Sequence, residues 1–137
     1  MSGEERKKQD KNINIMKTHK DLDCWKRGIE LVTEVYRVTK DFPKDELYGL
    51  TNQIRRAAVS IPSNIAEGAA RNSEKEFAQF LYISLGSLSE LETQFIISKN
   101  LVYIEEEKFD YIVSIITHVK RLILGLIKYE KRLISEK

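Results

Sequence analysis

The sequence predicts an all-α protein, an antiparallel up-down-up-down four-helix bundle. Three observations carry this. The 137 residues contain only 6 Gly and 2 Pro, too few turn formers for a β protein, which needs a turn every 8–12 residues or so. Apolar residues recur at spacings of 3 and 4 over four long stretches. The links between those stretches are short, which makes consecutive helices antiparallel neighbours. A chain of 16.0 kDa with 42% hydrophobic and 32% charged residues suits one globular domain.

The first helix is predicted from Leu22 to Lys40, with Asp21 as its cap. Leu22, Trp25, Ile29, Val32, Tyr36 and Thr39 form its main stripe, and Leu31, Val35, Val38 and Phe42 a second one beside it. Pro43 ends it, because the residue before a proline avoids helical dihedrals. The second helix starts near Asp45, with Leu47, Leu50, Ile54, Ala57, Ile61 and Ile65 on one face. Pro62 predicts a kink or short break and Gly68 a C-terminal stop. Ser73-Glu74-Lys75-Glu76 reads as a capping box opening the third helix, whose stripe is Phe77, Leu81, Ser84, Leu88, Leu91 and Phe95. It ends near Asn100. The fourth begins at Glu105-Glu106-Glu107, acids suited to a positive helix N-terminus. Its apolar residues spread over an arc of about 220°, twice what packing on one side requires. That excess, with the double stripe of the first helix, predicts a homo-oligomer; the alternative is a monomer with a central fourth helix. Residues 1–18 are polar and aperiodic, a flexible extension before a bundle domain over 19–137.

The charge balance is +2 overall. By segment it runs +3 over residues 1–20, zero over 21–72, −5 over 73–110 and +4 over 111–137. Such asymmetry suits an anionic partner or head-to-tail contact between subunits. No apolar run reaches the ~20 residues of a membrane span, no secretory signal is visible, and a lone Cys24 fits a reducing compartment. The expectation is a cytoplasmic protein.

Chemistry is sparse. A di-iron bundle needs Glu-x-x-His on two helices, and neither His19 nor His118 has that spacing. Zinc spacings and a phosphate-binding glycine loop are also missing. The sequence therefore predicts no enzyme, no cofactor, no metal and no small-molecule substrate. Two surface constellations remain. Lys120, Arg121, Lys128, Lys131 and Arg132 fall within an arc of about 120° opposite the apolar face of the fourth helix, and either grip phosphates or form a solvated face. Arg55 and Arg56 are a second phosphate candidate. Gln53, Ser60, Asn64 and Glu67 make a polar strip on the second helix, either a contact site or a strip that registers helices and satisfies the backbone freed by Pro62.

The run from Phe42 to Gly68, FPKDELYGLTNQIRRAAVSIPSNIAEG, resembles the signature of the 23S rRNA intervening-sequence protein family. The likeness continues through Arg71, Ser73–Phe77, Phe80-Leu81 and Gly86–Thr93, and reaches back to Leu22 and Trp25. The resemblance implies a small bacterial bundle assembled as a ring-like homopentamer. It also implies kinship with the accessory variability determinant of diversity-generating retroelements, which binds a reverse transcriptase and nucleic acid. The function expected on this basis is a non-enzymatic adaptor for RNA or a reverse transcriptase, with a protein-only scaffold as the alternative.

Overall fold

The structure, a computed structural model, describes residues 18–136; the expected extension, up to residue 17, lies outside the described residues. Four α-helices make the fold: α1 (Asp23–Thr39), α2 (Leu50–Ala69), α3 (Glu74–Asn100) and α4 (Glu106–Ser135). Two 3-10 turns, His19–Asp21 and Lys44–Glu46, precede α1 and α2. Each helix packs on the next, and α4 closes against α1. All four contacts are antiparallel: Ser60 and Ile61 meet Ser87 and Ser84, Arg55 meets Thr39, Lys99 meets Glu106, and Arg27 meets His118. The up-down-up-down bundle follows from short links that leave a helix no choice but to return beside its predecessor.

The core is aliphatic, with Leu31, Ile54, Ile61, Leu91, Ile116 and Ile123 fully buried and Phe95 its largest side chain. On α2 and α3 the predicted stripes supply it, Leu47 excepted, which is exposed; on α4 it is supplied by Ile112, Ile115, Ile116, Val119, Ile123 and Ile127. On α1 the order of the stripes is reversed. Leu31, Val35 and Val38 are buried, whereas Trp25 and Val32 are half-buried and Ile29 and Tyr36 exposed. The two stripes lie about 100° apart on the helix, and the direction toward both α2 and α4 coincides with the one headed by Leu31. Thr39 is buried because its hydroxyl donates to the carbonyl of Val35 at 2.8 Å.

Several helix ends differ from expectation. Asp21 does not cap α1. Its carboxylate accepts from the Thr18 amide at 3.0 Å within the first 3-10 turn, and Leu22 takes the cap position. The second helix begins at Leu50 rather than near Asp45, since the chain turns through a 3-10 segment and through Gly49 first. Pro62 is buried and sits within α2 without breaking it. At the start of α3 the Ser73 hydroxyl accepts from the Glu76 amide at 3.1 Å.

Gly68 is not a C-terminal stop. The helix runs on to Ala69, and a Cβ at Gly68 would lie 2.6 Å from Cβ of Phe80 and 2.9 Å from Cδ1 of Phe77. Its role is close approach of α2 to α3. The end of α3 is a Schellman-type turn: the Tyr103 amide donates to the Ser98 carbonyl at 2.9 Å and the Val102 amide to Lys99 at 3.0 Å. Val102, at φ 62°, occupies the left-handed position that glycine ordinarily takes.

Two mutational tests follow from this packing. Leu88, 2% exposed, leaves an unpartnered carboxylate in the core when changed to Asp, a cost of several kcal/mol against a total stability of about 5–15 kcal/mol. A normal melt and full helicity for Leu88→Asp would show that α3 buries another face. Gly68→Ala is expected to destabilise by about 1–3 kcal/mol through overpacking against Phe80. Gly86→Ala, with nothing within 4 Å of the added methyl, is expected to stabilise by about 1 kcal/mol through helix propensity. Thermal melts that shift both variants in the same direction would contradict the α2–α3 seam.

Candidate nucleic-acid interface

Helix α4 carries its cations where its wide apolar arc ends. Lys120, Arg121, Lys128, Lys131 and Arg132 are all exposed, and none forms an ion pair with a described residue. From Lys120 to Arg132 the stripe spans about 18 Å at the helical rise. Five of the described cations elsewhere are paired: Arg27 with Glu30, Arg37 with Glu34, Arg71 with Glu67, Lys99 with Glu106 and Lys108 with Asp41. The same stripe includes Leu124, 44% exposed.

Tertiary packing adds aromatic rings that the α4 sequence alone does not show beside these charges. Lys131 Nζ lies 5.1 Å from the ring centre of Tyr82, which comes from α3, and Arg132 Cζ lies 5.9 Å from that of Tyr129. Both tyrosines are nearly half exposed. Their rings hold the long basic side chains by cation–π attraction and leave ring surface open to solvent. The pairing of Tyr82 with Lys131 had no sequence signal, because only the α3–α4 register brings the two together.

Arg55 and Arg56 lie apart from this stripe, on the α1–α2 side. Arg55 Nε donates to the Thr39 hydroxyl at 3.0 Å, and its guanidinium lies 4.7 Å over the Tyr36 ring. Arg56 is exposed. The two sets of cations therefore form separate surfaces. Their chemistry is the same, multidentate donation to anionic oxygens.

The polar strip of α2 runs beside α3. The hydroxyls of Ser60 and Ser87 hydrogen-bond across the seam, and Asn64 Nδ2 donates to the Ser60 carbonyl at 2.7 Å. Ser84 of α3 donates to the Ile61 carbonyl at 3.1 Å. These bonds fall on Ser60 and Ile61 rather than on the carbonyl of Ala58, the one that Pro62 deprives of its donor. Glu67 pairs with Arg71 at 2.7 Å, and Gln53 is exposed. On α3 the buried Gln94 donates from Nε2 to Glu90 at 3.2 Å.

His118 is part of the α1–α4 seam, accepting at Nδ1 from Arg27 Nε at 3.0 Å. Cys24 is 3% exposed, and burial pushes its thiol up to about 11.

An aliphatic four-helix bundle with a bare basic stripe on its last helix is the class of protein these features define. The family model for the 23S rRNA-intervening sequence protein matches residues 20–125. The chain belongs to that family. Among solved structures it is similar to a protein of unknown function from the S23 ribosomal protein family of Bacteroides thetaiotaomicron, with a TM-score of 0.72 and 24% identity over 77% of this chain and 95% of that one. At that identity the likeness establishes the fold. No curated protein matches the chain. No described helix is long and apolar enough to cross a membrane.

The raised Cys24 thiol makes a testable statement about reactivity. With a folded value of about 11, against about 8.5 for a free cysteine, the native thiol stays protonated at pH 8 while the unfolded chain begins to ionise. A thiol reagent at pH 8 is expected to label Cys24 only on unfolding, and stability is expected to fall as pH rises from about 8.5 toward 11. Rapid labelling of the native protein would show that the site is open.

Proposed function

We propose that this protein is a non-enzymatic, homo-oligomeric adaptor that binds RNA, or an RNA-handling protein such as a reverse transcriptase, through the α4 stripe. The observation that carries this reading is the run of exposed cations from Lys120 to Arg132 without ion-pair partners among the described residues. Cations so placed release counterions when they meet phosphates, which is the main source of nucleic-acid affinity. Tyr82 and Tyr129 supply ring faces beside them. The kinship with a retroelement accessory protein that the family resemblance implies supports the choice of a reverse transcriptase as partner.

Self-association is supported by apolar residues left outside the monomer core. On α1, Ile29 is 40% and Tyr36 41% exposed; on α3, Ile83 is 50% and Ile97 42% exposed. Scattered exposed side chains are ordinary, but these repeat at helical spacing along two different faces, as subunits in a closed ring require. The family resemblance points to five copies. A ring multiplies the α4 stripe, so that weak phosphate sites on several subunits act on one RNA at high effective concentration.

Light scattering of the purified chain is expected to report an oligomer, with five copies the reading to test; a monomer at micromolar concentration would remove the self-association. Lys128→Gln with Arg132→Gln is expected to preserve mass and melting behaviour, to weaken binding to structured RNA, and to flatten the log–log salt slope by about 1–2. Unchanged affinity and slope, with binding abolished instead by Arg55→Gln/Arg56→Gln, would reduce the stripe to a solvated face. Failure of both pairs to matter would favour a protein-only scaffold.

A further inference from the structure

A groove of about 800 Å³ lies between α1 and α2, lined by Tyr36, Leu47, Tyr48, Asn52, Arg55 and Arg56 among others. Its size lies within the range of about 300–1,000 Å³ typical of small-ligand clefts. Of its lining side chains two are cationic and none is a carboxylate. Tyr48 is 92% exposed, an aromatic ring that buries almost nothing within its own subunit. Such a ring adds little to folding, since stabilisation scales with the apolar area removed from water. Tyr36, on the facing helix, is fixed beneath the Arg55 guanidinium. Arg55 uses Nε on Thr39, which anchors the fork and leaves its terminal nitrogens for a ligand. Arg56 makes no ion pair with a described residue.

We propose that this groove is a second RNA site, one that takes an unpaired nucleotide: a base stacks on Tyr48, while Arg55, held over the Tyr36 ring, and Arg56 hold the adjoining phosphates. Asn52, with both a donor and an acceptor, is placed to meet a base edge. The combination of exposed ring faces with uncompensated arginines is the chemistry that binds single strands. A purely apolar peptide would strand both guanidinium charges, and a duplex keeps its base faces stacked inside the helix. The inference rests on the RNA reading above and deepens it: the α4 stripe grips backbone of any form, whereas the groove selects unpaired segments.

The test measures fluorescence anisotropy with a labelled single-stranded RNA oligonucleotide and with a labelled RNA duplex, alongside scattering mass and melting temperature. Tyr48→Ala is expected to weaken single-strand binding about tenfold or more, with duplex binding, mass and melt as in the parent. Tyr48→Phe, which keeps the ring, is expected to retain the affinity. If the parent binds both RNAs and Tyr48→Ala matches it on the single strand, the groove is not a nucleotide site while the RNA reading stands. Equal losses in Tyr48→Ala and Tyr48→Phe would overturn stacking as the mode of binding. A drop in mass for Tyr48→Ala would make the groove a subunit interface and overturn the proposal. Failure of the parent to bind either RNA would overturn the RNA reading itself, and the groove with it.

Discussion

The close approach of α2 to α3 is the constraint on which the rest of the bundle depends. At Gly68 there is no room for a single methyl group beside Phe80, so the two backbones come together next to the turn that joins α2 to α3. Further along, Ser84 donates to the Ile61 carbonyl and Ser60 bonds Ser87. Small residues at the seam permit the approach, and the hydroxyl bonds set the register that it leaves open. With that register in place, Ile54, Ile61 and Ile65 of α2 and Leu81, Leu88 and Leu91 of α3 are buried in one core. The other helices pack onto this pair.

On its other side, packing against α1 explains why α2 tolerates Pro62. A proline inside a helix removes one donor and crowds the preceding turn, yet here it is buried between α2 and α1, with its ring 3.5 Å from where a Cβ of Gly28 would sit. A flat ring opposite a glycine packs closely where a longer side chain would push the helices apart. Stability lost in the hydrogen-bond ladder is offset by apolar burial, and the helix stays whole.

Closing the ring of helices leaves, besides the exposed apolar residues of α1 and α3, three kinds of surface. The α2–α3 flank is polar and hydrogen-bonded. The outer side of α4 is basic. The α1–α2 groove mixes aromatic and cationic side chains. The acidic residues of the chain's third quarter fall on α3 and the start of α4. The fold also sets Lys131 of α4 beside Tyr82 of α3.

Helix number, order and the buried faces of α2, α3 and α4 were legible in the sequence, because a 3.6-residue period records which side of a helix leaves water. The stripe of cations on α4 was legible for the same reason: position along one helix determines direction around it. What periodicity cannot decide is which of two adjacent apolar stripes faces inward. On α1 the Leu31 stripe is buried, whereas Trp25 and Val32 of the other stripe are half-buried and Ile29 and Tyr36 exposed, a choice made by where α2 and α4 stand. Nor could spacing distinguish a glycine that ends a helix from one that lets another helix in, as at Gly68. The tyrosines beside the basic residues, and the groove that joins Tyr36 to Tyr48 and two arginines, are juxtapositions of residues distant in the chain. Local sequence determines conformation and facing; only the packing of one helix against another determines which side chains meet, because contact depends on relative rotation and register that no single helix encodes.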